Sequence, residues 1–460
     1  MRRAHAAALL LSALAGCSLP LPTNTSARAH ATLERIHYDE VEPFEGHELT
    51  IADAVARAKD RSVRLAEKRA AIEAARAESN AAGRPANPEI RVGGIRVDEI
   101  ARDEPQVDLR VRFKPPRPGE AAAETAIADA AVREAEAALR SEELSIEGSV
   151  VRLFLEVQLA DEELGLSSEL TSIEARAAEL SHKRGEEGRA TSLDQALVDL
   201  DLSGRAYDSD VLAASRQSSL DALGALTGLS LPADITLERV DLAGALGADL
   251  PEERKLIELA VERAPELEKC AAAIDSAQAR AALERSQQFP WFTFFDVGYV
   301  FEPSTDHPLG WLFGAGVDVP IFDTHQAAVD AALFEARAAE LAFDAEVQRV
   351  ADAVRAAIRT VKGAREAVAR FDRGPGAAAD KAAGEAQKAL AAGRIDDLAE
   401  LDVERRVRKV RLGRAALIRD YLRALGELER AAGWSPPLTT EDIKARSQPP
   451  ASESPSQDHP

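Results

Sequence analysis

Residues 120–187 contain no proline, and only Gly148 and Gly165 weaken the helical reading of their interior. At about 1.5 Å per residue such a helix is a rod on the order of 100 Å long, too long to be enclosed in a compact domain. It has to lie alongside other rods, and the chain supplies them. Residues 191–226, 321–392 and 396–432 have the same character, and residues 49–83 carry Ile51, Val55, Val63 and Ile72 at helical spacing. The apolar positions are mostly Ala, Leu and Val, which permits the close packing of coiled coils. Gly374-Pro375-Gly376 falls inside the rod 321–392, where a kink or interruption is expected because proline lacks an amide proton and crowds the preceding turn.

The pattern is written twice. Ala54-Val55-Ala56-Arg57-Ala58 returns as Ala260-Val261-Glu262-Arg263-Ala264, and Ala70-Ala71-Ile72-Glu73 returns as Ala272-Ala273-Ile274-Asp275. Pro88 and Pro290 each open a stretch of strand character. Glu187-Gly188-Arg189 corresponds to Ala392-Gly393-Arg394, and the halves end alike at Leu226-Thr227-Gly228 and Ala431-Ala432-Gly433. Units this long exceed any solenoid repeat and read as a duplicated domain half. The first repeat spans 49–228 and the second 251–434, joined by a linker at 229–250 that holds Pro232, Gly244 and Gly247. Each runs helix, two strands, very long helix, sharp turn, long helix.

The strands are expected at about 88–98, 105–113, 290–302 and 308–319. Val107, Leu109, Val111 and Phe113 alternate with Asp108, Arg110 and Arg112, the period of two that puts one residue set on each face. Alternation changes phase at Gly93-Gly94, which suggests a bulge. In the second repeat Trp291, Thr293, Phe295, Val297, Tyr299 and Phe301 fall on one face, and so do Trp311, Phe313, Ala315 and Val317 of the next strand. Residues 289–322 hold half of the chain's Phe, Trp and Tyr. A soluble sheet packed on a helix explains the alternation but not this aromatic load, which fits the girdle of a membrane barrel. Trp291, Phe295, Tyr299, Trp311 and Phe313 are therefore the expected membrane-facing aromatics.

The N-terminus reads Met1-Arg2-Arg3, an apolar run from Ala6 to Leu14, then Ala15-Gly16-Cys17, the pattern of a secretory signal over 1–16. The run is too short to remain as a membrane span. Leu14-Ala15-Gly16-Cys17 resembles the bacterial lipobox, which implies cleavage before Cys17 and acylation by diacylglycerol and an N-acyl chain such as palmitate. Ser18, in place of Asp, favours the outer membrane by the same resemblance. Residues 17–48 then form a lipid-anchored linker, and the Pro- and Ser-rich residues 435–460 a disordered tail. A net charge of −22 excludes a phosphate-backbone partner, so no nucleic acid is expected. Two cysteines exclude a disulfide scaffold, and the eight histidines include no pair at metal-ligand spacing. No catalytic residue, metal or cofactor is expected beyond the lipid on Cys17.

A lipobox and two halves, each with a hairpin embedded among very long helices, resemble the TolC family of outer-membrane efflux proteins over about residues 45–434. The local marks are Leu180–Leu193 with Gly188, Ala389–Leu401 with Gly393, Val319-Pro320-Ile321-Phe322-Asp323, and Phe113-Lys114-Pro115-Pro116-Arg117-Pro118-Gly119. The resemblance implies a mainly helical chain whose duplicated coiled coil forms part of an α-barrel, with two hairpins contributing to a trimeric outer-membrane β-barrel. It implies a homotrimer in outer-membrane lipid, a periplasmic adaptor (membrane fusion) protein and an inner-membrane pump. The trimer also has a physical warrant, since four strands cannot close in lipid whereas three copies give twelve.

The same resemblance places the turns with Gly188, Arg189, Gly393, Arg394, Asp396 and Asp397 at the periplasmic tip that meets the adaptor. Aligned on Gly393, Asp402 falls on an acidic constriction position, while Ala399 stands where relatives can carry another Asp. The constriction would then be built from Asp402 with Glu400 and Asp194. Read without the family, these carboxylates are solvated helix starts favoured by the helix dipole. The expected function is the passive exit duct of a tripartite efflux or export system. The rival readings are a lipid-anchored coiled-coil adaptor or structural envelope protein, which needs no strand aromatics, and an envelope enzyme, for which the residues supply no nucleophile, base or metal set.

Overall fold

The computed structural model describes residues 25–34, 42–44, 46, 48–93, 107–240, 246–247, 249–301 and 309–434. Cys17, the signal segment, Gly94 and the tail 435–460 lie outside the described residues. In chain order the elements are α1 (Thr25–Glu34), β1 (Glu42–Pro43), β2 (Glu48–Leu49), α2 (Ile51–Arg61), α3 (Val63–Ala81), β3 (Glu89–Gly93), β4 (Val107–Phe113), α4 (Glu120–Glu186) and α5 (Ser192–Thr227). There follow β5 (Leu229–Ser230), β6 (Thr236–Leu237), α6 (Glu253–Arg263), α7 (Pro265–Ser286), β7 (Trp291–Phe301), β8 (Leu309–Asp318), α8 (Gln326–Phe371), α9 (Ala377–Ala391) and α10 (Asp397–Ala432).

Two helix boundaries depart from the periodicity. What reads as one helix over 49–83 is α2 and α3, because Ser62 adopts an extended conformation and its hydroxyl accepts the Leu65 amide at 3.2 Å. The second repeat breaks at the matching place, where Ala264 is extended and Pro265 opens α7. Gly374-Pro375-Gly376 does not end its helix. Asp372–Gly376 forms one π turn between α8 and α9, a widened turn that absorbs the missing amide of Pro375.

The chain is a sheet of elements four wide at each level. At one end the strands run β3-β4-β7-β8, all antiparallel. Next comes the order α3-α4-α7-α8, held by Ser79–Asp129 and Arg76–Glu136 on one side of α4 and by Arg133–Asp275 and Arg140–Glu268 on the other. Toward the far end the order becomes α5-α4-α10, then α8 and α9. Neither β3 nor β8 has a second strand partner among the described residues, so the sheet is open at both edges.

The largest side chains are buried halfway along α4. Phe154, Leu220 and Leu223 pack with Leu49, Leu229 and Leu237, and Leu155 and Leu159 pack with Leu256, Val354, Tyr421 and Leu425. The short parallel pairs β1–β5 and β2–β6 tie the start of the chain to the linker at this level. Nearer the strands most buried residues are alanines, Ala123, Ala130 and Ala137 of α4 and Ala272, Ala279 and Ala281 of α7, with Ile72 of α3 and Val329 of α8 among the few larger ones. A buried Leu contributes about 1.5–3 kcal/mol and Ala much less, so the middle of the rods carries the apolar stabilisation.

Candidate functional site

Two regions hold the residues singled out in the sequence, the strand face and the turns at the far end. On the sheet, register puts Ile90, Leu109, Val297 and Phe313 on one face with Phe295, Tyr299 and Trp311. This face is exposed: Trp311 is 62% and Phe313 73% accessible, and Ile90 74%. Tyr299 and Trp311 are a cross-strand aromatic pair with centroids 4.0 Å apart. The other face is polar. Arg112 forms two 2.7 Å hydrogen bonds to Asp296 and lies 3.7 Å over the Phe294 ring, and Arg110 meets Asp108 at 2.5 Å. Apolar on one side and charged on the other is the pattern of a strand between lipid and a wet lumen.

Trp291 corrects the sequence reading. A bulge at Thr293 shifts the register, so Phe292 pairs with Val317 and Phe294 with Gly316. Beyond that extra residue every side chain changes face. Trp291 therefore pairs with Asp318 on the polar side, where its indole donates to the Pro115 carbonyl at 3.2 Å. Phe292 takes its place on the exposed face, 4.6 Å from Phe295. Gly316 makes room for the bulge: a Cβ there would collide with the Phe294 ring and meet the Thr293 hydroxyl at 2.6 Å.

At the other end the two turns are built alike. Gly188 (φ 71°) and Gly393 (φ 65°) take the left-handed conformation that ends α4 and α9, and Arg189 and Arg394 donate to Arg184 and Ala389. Thr191 and Asp194 form a capping box on α5, and Asp396 caps α10 by accepting the Ala399 amide at 2.9 Å. The hydrogen bonds from Thr191 hold the Asp194 carboxyl below the usual carboxylate range. Asp396 is held low by the Ala399 amide and then by Arg184, whose guanidinium lies 2.8 Å away and joins the two turns. Arg189 pairs with Glu187 in its own turn, and Arg394 and Asp397 are exposed.

Asp402 is not a free carboxylate. It pairs with Arg405 and, at 2.9 Å, with Arg406. Burial pushes its pKa up, but the hydrogen bond and charge of Arg405, with Arg406, carry it below the ordinary value. Arg405 also reaches Asp201 of α5 at 3.1 Å and the buried Glu174 of α4 at 3.7 Å, so one guanidinium joins three helices. Glu400 is half-buried in the first turn of α10, and Asp194 is engaged with Thr191 in the capping box of α5. Sequence reading missed the partners of Asp402 and the ladder above them, in which Glu169 meets Arg408 at 2.6 Å and Glu163 meets Arg419.

No described helix is long and apolar enough to cross a membrane. Residues 256–434 match the sequence profile of the family described as outer membrane efflux protein. No curated protein matches the chain in sequence. Among solved structures the chain is similar to the outer-membrane channel OprN, with 18% identity, 83% of this chain and 89% of that chain covered, and a TM-score of 0.67. VceC of Vibrio cholerae gives 14%, 84%, 96% and 0.66 for the same quantities. The open-state outer-membrane channel MtrE of Neisseria gonorrhoeae gives 16%, 83%, 88% and 0.65. Residues 256–434 thus carry an outer membrane efflux protein domain, and the chain has the fold of these outer-membrane channels over 83% of its length.

Proposed function

We propose that three copies of this chain form the exit duct of a tripartite efflux or export system, a passive conduit with no bond chemistry of its own. The observation that carries the reading is the sheet itself. It is four strands wide, apolar on one face and charged on the other, with both edges unpaired among the described residues. Open edges are not tolerated in lipid, and three such sheets make a closed barrel of twelve strands. The same count gives a helical tunnel continuous with it, since each helical level is also four wide. Lipid on Cys17 adds an anchor at the outer membrane.

Drive and coupling come from an inner-membrane pump and a periplasmic adaptor, the adaptor meeting the turns around Gly188, Arg189, Gly393, Arg394, Asp396 and Asp397. The gate is the neighbourhood of Asp402, Glu400 and Asp194, where threefold repetition turns each side chain into a ring. The deciding experiment is the light-scattering mass of protein extracted from outer membranes in mild detergent, followed by conductance in planar bilayers. A three-chain species that opens discrete channels is the expected result. A monomer released without detergent, or a trimer that never conducts, favours the lipid-anchored structural protein instead.

A further inference from the structure

The two outer flanks of the helical tunnel differ in charge, and the difference specifies how one copy recognises the next. The lower order α5-α4-α10-α8/α9 leaves the far side of α5 and the far side of α8 and α9 without a helical neighbour among the described residues. Along α5, Leu193, Leu197, Leu200, Tyr207 and Val211 form a stripe with the three-and-four spacing of a coiled-coil seam. All five are at least half exposed, Tyr207 at 70%. Exposed Asp208 and Asp210 flank this stripe, Asp208 sharing Arg205 at 2.9 Å. The opposite flank is basic and small. Arg359, Lys362 and Arg370 are exposed near the end of α8, with Glu366 3.9 Å from Arg370. In the π turn that follows, Arg373 and Gly374 are exposed beside Asp372, whose carboxylate pairs with Arg414 at 2.7 Å. Half-buried Gly376 and exposed Ala378 come next, so cations outnumber carboxylates on this flank.

We propose that the acidic, apolar stripe of α5 seats on the basic, small-residue flank of α8 and α9 of a second copy, with Asp208 and Asp210 facing Arg370 and Arg373. The inference rests on the trimeric reading above and adds the seam that sets its order. Ring closure by identical chains requires one flank to meet the other, head to tail. The registers agree: the tips are joined by Arg184 and Asp396, and counted from there Asp210 is level with Arg373, and Tyr207 with Gly376. A large side chain thus meets a residue without one.

The seam inside the chain has the opposite polarity. There the buried carboxylates, Glu163 and Glu174, are on α4 and the arginines, Arg419 and Arg405, are on α10. In the duplication α8 corresponds to α4 and α5 to α10, so an α5 that took the place of α10 would set acid against acid. Charge inversion therefore separates two seams that the duplicated fold makes nearly alike, a discrimination by repulsion as much as by attraction.

The test uses the full-length protein extracted from outer membranes. Asp208→Arg with Asp210→Arg is expected to lower the trimer-to-monomer ratio at least about tenfold, because like charges then face each other. Circular dichroism should remain unchanged. Adding Arg370→Glu and Arg373→Glu to the same chain restores the trimer, since each copy presents both flanks. As a second measurement, the pair Asp210→Cys and Arg373→Cys should oxidise to covalent dimers and trimers. Trimers that persist in the double reversal, failure of the fourfold variant to recover, or absence of the cross-link overturns the seam. A wild-type chain that is itself monomeric overturns instead the trimer on which it rests.

Discussion

Arg112 and Asp296 join the two repeats within the sheet. They lie on β4 and β7, 184 residues apart, and form paired 2.7 Å hydrogen bonds with Asp296 only 3% accessible. A paired guanidinium and carboxylate in planar register is the strongest form of such a contact, and removing one partner strands the other. Asp296→Ala should therefore lower the thermal transition of the assembled barrel by several degrees. The double variant Arg112→Leu with Asp296→Leu should lose less, which a heat-modifiability gel measures. Equal losses in single and double variants would make the pair incidental.

The bulge at Thr293 separates two tryptophans by their solvent. Trp311 and Phe313 share the exposed face, so Phe313→Arg should cost about 2–4 kcal/mol if that position lies near the bilayer midplane. Trp291→Arg, on the polar face, should cost much less. Yield of folded protein in the outer membrane measures both, and a reversed ranking would contradict the register.

The gate proposed around Asp402 should respond to Arg405. Arg405→Gln removes the group that joins Glu174, Asp201 and Asp402 and leaves the buried Glu174 with one less partner, at about 1–3 kcal/mol. Channel open probability should rise. Asp402→Ala should reduce block of conductance by divalent cations, and unchanged block removes Asp402 from the constriction.

Asp396 caps α10 and pairs across the turns with Arg184. Loss of the cap in Asp396→Ala is worth about 1 kcal/mol, which corresponds to roughly fivefold faster hydrogen exchange at the first turn of α10. Exchange at the wild-type rate would mean that the cap contributes nothing.

Acid should loosen the tip late. Asp194, Asp396 and Asp402 all have depressed pKa values, from Thr191, from Ala399 and Arg184, and from Arg405 and Arg406 against burial, respectively. A carboxyl with a depressed folded pKa stabilises above its unfolded pKa, near 3.9, and that contribution is lost as pH falls through the folded value. Conductance should thus stay unchanged from neutrality to about pH 4 and rise only below it. A rise already near pH 6 would assign the response to another group.

The parts of the fold that depend on neighbours in sequence were legible. The proline-free stretch 120–187 became α4, and Gly188 and Gly393 mark turns that only a positive φ can make. The face of Trp291 was not legible, because it depends on Gly316, a cross-strand neighbour that leaves space for the bulge. Nor was the break at Ser62, whose capping role is visible only once its hydroxyl meets Leu65. The engagement of Asp402 was partly hidden for the same reason: Arg405 is three residues on, but Glu174 and Asp201 come from the other repeat. Periodicity reports which face is apolar, and says nothing of charges brought together across two hundred residues.

The edges of β3 and β8, unpaired among the described residues, also bear on the safety of the cell. A lone copy, or a pair, has no way to hide those edges in hydrocarbon, so no partly built species is stable there. In the trimer proposed above, the permeability barrier is therefore never breached by an incomplete ring, and a pore comes into being only at the moment the third copy closes it.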